Sequence, residues 1–492
     1  MDLITGIVDF LAKEVLGVPA YLVGLMTAIG LIAARRRTGE IIGGTLKATL
    51  GFIILGVGAG AVIGALDPLG KLITGATGAT GVVPTNEAIT AIVTANPGYA
   101  SNIAYAMFFG VIVALLLARL TNLRYVFLTG HHMLFMATVL VVVLLTAGSG
   151  DALAVIVGAF GLATMMVIMP AFAQPWMRRV TGGDPVAMGH FGSLGYISAG
   201  IAGQLTARTM GKGRSTEELN IPESIRFLRD PMVGTAVAMI IIYLVLAVAF
   251  ALRVGLDAAI TATSGGTVGG WGGYLAAEFN QALVFGGGVA VILLGVRTIL
   301  GEIVPAFAGI AERVIPGALP ALDCPVSFPY APNAVVVGFL FSVVGGLVGL
   351  ALLAGIGQPL LALSLVIPGM IPHFFTGGTA GVFGNATGGV KGAIAGGFVN
   401  GVLITILAAF LLTVMGNLGP LAGTTFGDTD FQWFGILVGN LSGFGGTTGA
   451  IAVLVACVVL IAFASWFQRR YVESNWSPGG EAMPEPAPEA AA

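Results

Sequence analysis

Long apolar runs fill most of this chain, and glycine and proline interrupt them repeatedly. Hydrophobic residues make up 57% of the 492 residues and charged residues only 9%, whereas soluble globular domains carry about 25% charged residues. A helix that crosses a bilayer needs about 20 apolar residues. We therefore expect an all-α, multi-pass protein of the cytoplasmic membrane, embedded in the lipid bilayer. The net charge of −2 gives no sign of nucleic-acid binding.

One interruption covers residues 367–389, a mildly polar stretch broken by Pro368, Pro372 and several glycines. Lipid cannot satisfy unpaired backbone groups, so non-helical backbone at this depth must be buried in protein or line an aqueous cavity. Broken helices of this kind form the polar sites of many membrane transporters. The sequence therefore predicts a transporter whose solute site lies between broken helices.

A short polar turn within this stretch is predicted to contact the solute: Thr376, Gly377, Gly378 and Thr379. Glycine permits tight reversal of the chain and lets backbone N–H groups approach a solute. Threonine hydroxyl groups add neutral donors and acceptors, which suit a polyol or a sugar better than an ion. The nucleotide-binding signature GxxxxGK[ST] is absent around these glycines, so they are not expected to hold a nucleotide.

Histidines occupy similar breaks elsewhere, and His131 and His190 are predicted to be hydrogen-bonding partners of the solute. The alternative is that each histidine bonds to backbone at a helix end. Asp323 lies in a proline-framed turn between apolar runs, where a carboxylate is costly and usually functional; its alternative role is a helix cap. No metal site is expected, because adjacent His131 and His132 point apart on a helix and no cysteine or carboxylate is near them in the chain.

Basic residues predict the orientation of the spans. The triplet Arg35–Arg37 follows the first span, and Arg469 and Arg470 follow the last. The positive-inside rule makes both positions cytoplasmic, which leaves the N-terminus outside and the C-terminus cytoplasmic. An odd number of crossings is then required, and eleven fits. Residues 38–66, interrupted by glycines and Lys47, are expected to form an interfacial amphipathic helix and then a re-entrant element.

Short sequence motifs that recur in the same order predict an internal repeat. Ala100-Ser101-Asn102 and Ala331-Pro332-Asn333 each open a span, and a histidine-containing break follows each of them. The expected divisions are a first repeat (1–206), a cytoplasmic loop with a linking helix and connector (207–280), a second repeat (281–446), a final span (447–470) and a disordered cytoplasmic tail (471–492). Whether the repeat is inverted stays open at this stage.

Four short stretches stand out in order along the chain: Leu128-Thr129-Gly130-His131, Gly189-His190, Ala321-Leu322-Asp323-Cys324 and Ile367-Pro368-Gly369. With further short matches over about residues 15–470, the chain resembles the ascorbate-specific enzyme IIC permeases of the phosphoenolpyruvate-dependent sugar phosphotransferase system. Each stretch is short, and the shared order makes the resemblance specific.

The resemblance implies a homodimer in which the repeats of each protomer interleave into a core transport domain and a V-shaped dimerisation domain. The sugar would cross by an elevator-type, rigid movement of the core. Separate IIA and IIB proteins would carry the phosphoryl group to the sugar on the cytoplasmic side, so the permease is not expected to be an enzyme or to need a cofactor. The matching site residues are His131, His190 and Asp323, with the Thr376–Thr379 turn beside them.

The resemblance makes L-ascorbate or a related sugar the expected substrate. The similar permeases carry glutamines shortly after their two histidines, where this chain has Met133–Met136 and Phe191–Leu194. Another sugar acid or a pentitol is therefore also compatible. The alternative function is an ion- or proton-coupled secondary transporter of a small organic anion, with Asp323 and a histidine as proton relay. An enzyme lacks a visible nucleophile–base pair, and a channel lacks a recognisable selectivity filter.

Overall fold

A computed structural model describes residue 10 and residues 19–78, 81–94, 96–218, 231–416 and 423–479. Seven of the described helices are long and apolar enough to cross a membrane, and three shorter ones are also apolar. The expectation of an all-helical, multi-pass membrane protein is therefore confirmed. The predictions for the extreme N-terminus, for much of the basic loop and for the end of the tail fall outside the described residues.

The chain alternates long helices with very short strands. The helices are α1 Pro19–Ala33, α2 Thr38–Thr77, α3 Asn86–Thr94, α4 Pro97–Leu120, α5 Gly130–Thr146, α6 Asp151–Thr181, α7 Ser193–Met210, α8 Pro231–Val254, α9 Leu256–Ser264, α10 Gly270–Arg313, α11 Pro332–Leu352, α12 Gln358–Leu361, α13 Met370–Leu412, α14 Thr429–Ser442 and α15 Gly446–Phe467. The strands are β1 Val83–Pro84, β2 Tyr125–Phe127, β3 Ala187–Met188, β4 Leu319–Leu322 and β5 Thr424–Thr425. Short helical turns cover Thr216–Glu218, Cys324–Tyr330, Leu353–Gly357 and Gln468–Val472.

The helices pack as two bundles. The first bundle consists of α1, α2, α8, α9 and α10, and the second contains α3 to α7, α11 and α13 to α15. Glycine brings the helices of the first bundle close together: a Cβ atom on Gly30 of α1 would overlap the backbone of Ala306 in α10, and one on Gly58 of α2 would lie 2.6 Å from the amide nitrogen of Ile292. Small residues at such contacts are typical of membrane helices, so much of the glycine serves packing.

Helix α13 is a hairpin rather than a straight rod. Gly389 has φ 65° and ψ −152°, a conformation that glycine adopts easily and other residues avoid. On either side of it, Gly384 and Gly392 pack so closely that a Cβ atom on one would overlap the carbonyl oxygen of the other. Residues eight apart would be separated by about 12 Å along a straight helix. The two halves of α13 therefore run antiparallel.

The tip of the α13 hairpin is tied to neighbouring helices by hydrogen bonds. Gly213, just after α7, donates its N–H to the carbonyl of Gly388 over 3.2 Å. Arg179 near the end of α6 donates from Nε to the carbonyl of Ala386 over 2.8 Å. These donors satisfy carbonyl groups that lose their helical partners where the chain reverses, and they fix the tip against α6 and α7.

The short strands pair in parallel, and each sheet joins distant parts of the chain. Strand β4 lies between β2 and β3, so that Phe127 and Ala187 both pair with Ala321. Strand β1 pairs with β5, and Val82 beside it forms a parallel bridge with Val366. A helix or a helical turn begins soon after every strand. The carboxyl ends of strands from both halves of the chain therefore meet at common edges.

The region 38–66 differs from the sequence-based expectation. It contains no separate interfacial helix or re-entrant element, because all of it belongs to the continuous helix α2, which begins at Thr38. Glycine lowers helix propensity, which is why the sequence suggested interruptions. In the folded protein three of these glycines, Gly44, Gly51 and Gly58, lie against α10, and a side chain on Gly58 would meet its backbone.

The tail also differs from expectation in its first part. Residues 471–477 pack against α6 instead of being disordered: Arg178 donates from Nη1 to Asn475 Oδ1 over 2.8 Å. The rings of Trp176 and Trp476 meet edge to face with their centroids 5.8 Å apart. The polar composition of the tail gave no sign of this anchorage, which depends on side chains far away in the sequence.

Packing of α11 against the α13 hairpin predicts that Gly338 cannot carry even a methyl group. A Cβ atom there would lie 2.6 Å from Gly381 Cα and would overlap the carbonyl oxygen of Gly377. We expect Gly338→Ala to lower the free energy of unfolding by about 1–3 kcal/mol, as overpacking does. Thermal unfolding of the purified protein in detergent measures the effect. Gly287→Ala in α10, where a Cβ atom meets nothing within 4 Å, is the matched control and should be neutral or stabilising; equal melting of both variants would contradict the prediction.

Candidate functional site

Three side chains predicted from the sequence come together at the carboxyl edge of the β2–β4–β3 sheet. His131 follows β2, His190 follows β3 and Asp323 follows β4. Because the strands are parallel and adjacent, residues just beyond their ends are brought to the same edge, the usual place for ligands in parallel sheets. The structure therefore brings these three residues to one region of the fold, and their role in binding a solute stays a prediction.

The carboxylate of Asp323 lies between the two imidazoles. Its Oδ2 atom is 3.4 Å from His131 Nε2 and its Oδ1 atom is 3.9 Å from His190 Nε2. The side chain of His131 is 36% exposed, whereas those of Asp323 and His190 are 12% and 4% exposed. A buried carboxylate is costly without partners, and both imidazoles lie within 4 Å of it. His131 is the member of the group most accessible to a solute.

Hydrogen bonds fix the orientation of His190. Its Nδ1 atom bonds with the Tyr196 hydroxyl over 2.8 Å, and its carbonyl accepts from Ser193 Oγ over 2.8 Å. Thr129, just before α5, donates its hydroxyl to the carbonyl of Gly189 over 2.5 Å. The segments that carry the two histidines are therefore tied to each other, so that the imidazoles cannot separate without breaking buried bonds.

The cap function expected as the alternative for Asp323 is also present. Its side chain accepts the N–H of Cys324 at 2.7 Å, at the start of the helical turn Cys324–Tyr330. A carboxylate has lone pairs for several donors, so the cap leaves acceptor capacity for a solute. The two roles are compatible, and the cap holds the carboxylate in place at the end of β4.

The second sheet brings two further polar residues to the same site. Asn86 follows β1 and Asp428 follows β5. The amide of Asn86 donates from Nδ2 to Asp428 Oδ2 over 2.9 Å and accepts the N–H of Gly427 over 2.8 Å. Sequence reasoning missed Asn86, although it begins a helix just after Pro84, the same kind of break that marked the other positions.

These groups line a cavity of about 210 Å³ between the two bundles. Its polar lining comes entirely from the second bundle and the strands beside it, and includes Asn86, His131, His132, His190, Asp323 and Asp428. The first bundle contributes an apolar wall from α2, formed by Phe52, Leu55, Gly56 and Ile63. The cavity can thus hold a small polar solute that forms hydrogen bonds with the second bundle and makes only apolar contacts with the first.

A larger cavity of about 640 Å³ adjoins this site. The two share Ile63 and Ile371 in their linings, and the larger one continues along α2 past the Asp67–Lys71 ion pair, whose atoms are 2.9 Å apart. Because the two cavities share lining residues, we call the larger one the vestibule of the polar site. The vestibule lies towards the carboxyl end of α2, the end opposite the Arg35–Arg37 triplet.

The Thr376–Thr379 segment does not form the predicted turn. It lies inside the first half of α13, buried against α11, and contributes nothing to the cavity lining. Thr376 and Thr379 donate their hydroxyls to carbonyls four residues earlier, each over 2.8 Å. A Cβ atom on Gly377 would overlap Ser342, and one on Gly378 would lie 2.8 Å from Val335 Cγ1. The glycines permit helix packing here, and the backbone reverses only further on, at Gly389.

The fold brings carboxylates and a cysteine next to the histidines, contrary to the expectation from the sequence. Three groups have possible ligand atoms within 4.8 Å of one another: His131 with His132 and Asp323, His132 with His190 and Asp428, and His190 with Asp323 and Cys324. His132 Nδ1 accepts the N–H of Phe191 over 3.3 Å, so its proton lies on Nε2. That proton removes the lone pair through which His132 could bind a metal, and two of the three groups include His132.

Asp430 supports the site from behind. Its carboxylate accepts the N–H of Ser193 at 2.8 Å and that of Leu194 at 3.0 Å, at the start of α7. It also accepts from Trp433 Nε1 over 3.1 Å. A carboxylate at a helix N-terminus satisfies unpaired amides and complements the helix dipole. Asp430 therefore holds the start of α7, and with it the segment that carries His190.

Many membrane-spanning helices, two bundles and a polar cavity between them define a membrane permease. Residues 14–430 match the family described as the PTS system sugar-specific permease component. The chain therefore belongs to this family of phosphotransferase-system permeases. The match covers most of the chain and includes every residue of the polar cavity.

A relative of known name gives a further comparison. The chain is 27% identical over 438 residues to the ascorbate-specific PTS system EIIC component of Mycoplasma pneumoniae. The alignment covers 81% of this chain and 66% of that relative, so the chain spans about two thirds of the relative's length. The family resemblance expected from the sequence is confirmed by both comparisons.

The carboxylate of Asp430 provides a test of how the site is supported. We expect Asp430→Ala to lower the free energy of unfolding by about 1–2 kcal/mol through loss of the cap, and to raise amide exchange around His190 and Ser193. Asp430→Asn, which keeps one acceptor, should be intermediate. Hydrogen-exchange mass spectrometry and thermal unfolding measure both effects. Asp257→Ala, on the exposed first turn of α9, is the control; unchanged exchange near His190 in Asp430→Ala would refute the support role.

Proposed function

We propose that the chain is the IIC subunit that carries L-ascorbate or a related sugar acid across the cytoplasmic membrane for phosphorylation by a separate IIB protein. The observation that carries this proposal is the convergence of His131, His190 and Asp323 in one cavity between two helical bundles. The name of the Mycoplasma relative supports the substrate class. IIA and IIB partners follow from the phosphotransferase mechanism of the family.

The chemistry of the cavity suits a hydroxyl-rich solute with a weak negative charge. The imidazole N–H groups of His131 and His190 can donate to oxygen atoms, and the Asp323 carboxylate can accept from hydroxyl groups. Asn86 adds an amide, and the apolar wall formed by Phe52 can cover the carbon face of a sugar. Sites that combine several such bonds discriminate strongly between solutes that differ by one hydroxyl.

The division of the lining supports an elevator-type movement. All hydrogen-bonding groups of the cavity belong to one bundle, and the other supplies an apolar surface. A solute bound to the second bundle could therefore keep its polar contacts while that bundle slides along α2. Domains that move as rigid bodies against a fixed partner are an established route of alternating access. We propose that α1, α2, α8 and α10 form the fixed, dimerising body of a homodimer.

Positive charge supports a C-terminus in the cytoplasm and an N-terminus outside. The last turns of several helices carry arginines: Arg119, Arg178, Arg179, Arg208, Arg313, Arg469 and Arg470. Contacts join these ends, such as the hydrogen bond from Leu319 N–H to the carbonyl of Arg124 (2.9 Å) and that from Lys391 Nζ to the carbonyl of Met210 (2.7 Å). An arginine-rich end is cytoplasmic by the positive-inside rule, so the vestibule opens to the outside.

The helix inventory supports eleven crossings. Among the described residues, seven long and three shorter apolar helices give ten, and α13 counts twice because it folds back at Gly389. The helices α3, α7 and α14 each follow a short strand and remain as candidates for re-entrant elements. This number agrees with the odd count that the charge pattern requires.

Strand pairing supports an inverted repeat. The central strand β4 lies in the second half of the chain and is flanked by β2 and β3 from the first half. The reverse holds for β1, which lies in the first half and is flanked by β5 and Val366 from the second. Both sheets end at the same cavity, through His131 and Asp323 on one side and Asn86 and Asp428 on the other. Two equivalent units that approach the site from opposite faces would produce this arrangement.

Substitution of the hydrogen-bond acceptor Asp323 and of the donor His190 tests the proposed binding site directly. We expect Asp323→Asn and His190→Ala each to weaken L-ascorbate binding by about 100-fold, because a hydrogen bond to a charged group contributes up to about 3 kcal/mol. Isothermal titration of the purified variants measures the affinity, and size-exclusion chromatography reports whether each variant is folded and dimeric. Asp257→Asn, at an exposed position, is the control. Wild-type affinity in folded variants would disprove the site.

The second candidate is proton-coupled transport of a small organic anion. It is favoured by the close approach of His131 Nε2 to Asp323 Oδ2, 3.4 Å apart, since such a pair can exchange a proton. The first function is driven by phosphorylation of the sugar, and the second is driven by a proton gradient. Uptake into proteoliposomes that needs no IIB protein and that a proton ionophore stops would establish the second candidate; uptake that requires phosphorylated IIB and ignores the ionophore would establish the first.

A further inference from the structure

A separate cavity of about 420 Å³ lies at the arginine-rich end of the second bundle. It is formed where α4 and α6 end, beside the first residues of β2 and β4, and the turn Gln468–Val472 closes one side. Its lining includes Arg124, Arg178, Gln174 and Glu473. It shares no residue with the transport cavity or its vestibule.

Two guanidinium groups face this cavity without an acidic partner. Within the described part of the chain, no carboxylate forms an ion pair with Arg124 or Arg178. Arg178 donates only to neutral acceptors, Asn475 Oδ1 at 2.8 Å and the Tyr471 carbonyl at 3.5 Å, and its buried Nε has no acceptor. The one carboxylate in the lining, Glu473, accepts from Asn122 Nδ2 over 3.4 Å. Guanidinium groups that form no ion pair can bind phosphate oxygens, whose geometry they match well.

An unsatisfied acceptor indicates that the ligand also carries a hydroxyl group. Gln174 is 1% exposed, and its Nε2 donates to the carbonyl of Val186 over 3.2 Å. That bond fixes the orientation of the amide, and Oε1 is left buried with no partner. An unpaired buried acceptor is costly, and an ionised phosphate oxygen cannot donate a hydrogen bond to it. A sugar hydroxyl can.

We propose that this cavity binds a phosphorylated sugar at a site separate from the transport cavity. The arginines hold the phosphate group, and Gln174 accepts a hydroxyl group of the sugar. The inference rests on the proposed function, because a phosphotransferase permease would release such a compound at this cytoplasmic end. The volume is within the usual range for small-molecule pockets, and the glycine at position 317, with φ 71°, keeps the space beside Arg124 open.

The position of the cavity connects it to the transport site. It contacts Tyr125 in β2 and Leu319 in β4, the first residues of the strands that lead to His131 and Asp323. It also contacts Gln468, whose Oε1 accepts the Tyr125 hydroxyl over 2.9 Å. A ligand here would join the C-terminal turn to the two strands, so the product of transport would bind the element that carries the transport residues.

Titration of the full-length protein with four probes tests the proposal: L-ascorbate, L-ascorbate 2-phosphate, glucose 6-phosphate and inorganic phosphate. We expect at least one sugar phosphate to bind about tenfold more tightly than inorganic phosphate, because Gln174 recognises the sugar. Arg124→Gln should weaken sugar phosphate binding about tenfold or more, and Gln174→Met should reduce the preference over inorganic phosphate. Equal affinity for inorganic phosphate and both sugar phosphates would overturn the assignment.

Matched variants separate this site from the transport site. Arg119→Gln removes the same charge from the exposed end of α4, outside the cavity, and should leave all affinities unchanged. Arg178→Gln could loosen the C-terminal residues, so Arg124→Gln, at an exposed position, carries the test. Asp323→Asn should weaken L-ascorbate binding by about 100-fold and retain sugar phosphate binding; an equal loss of both would place the phosphate ligand in the transport cavity and refute the proposal. Failure of L-ascorbate to bind the wild type would refute the proposed function alone.

Discussion

The need to pair every backbone N–H and C=O group inside a bilayer governs this structure. Where glycine and proline interrupt the helices, the backbone groups that lose their helical partners must find others inside the protein. The short strands satisfy that need by pairing with one another in parallel. Parallel pairing then aligns the carboxyl ends of the strands, and the polar residues that follow them collect in one place. The position of the site around Asp323 thus follows from how the backbone groups at the helix breaks are hydrogen-bonded.

The same pairing makes the two halves of the chain depend on each other. Each central strand comes from one half, and its neighbours come from the other. Neither half could complete a sheet alone, so His131 and His190 from the first half reach Asp323 only when both halves are folded. Asp430 adds a further link, because it lies in α14 and supports the start of α7. Long-range pairing of this kind is slow to form.

Residue type and position in a break were enough to predict His131, His190 and Asp323 from the sequence, because a polar group at membrane depth has few structural reasons to be there. The same reasoning was wrong for Thr376–Thr379, where glycine marks helix packing rather than a turn. It also missed Asn86 and the α2 helix, since strand register and helix contacts depend on residues hundreds of positions away. The composition predicts that the helices are interrupted. Which interrupted segments lie together depends on strand pairing between distant parts of the chain.

The apolar wall that α2 contributes to the cavity has a consequence for how such a permease can evolve by mutation. Phe52, Leu55, Gly56 and Ile63 offer no hydrogen bonds to a solute, so the hydrogen-bonding groups of the cavity all belong to the other bundle. Under the proposed elevator-type movement, the groups that bind the solute and the surface along which they move would lie in different parts of the chain. Mutations at the strand ends would then change which solute binds, and mutations along α2 would change the rate of the movement.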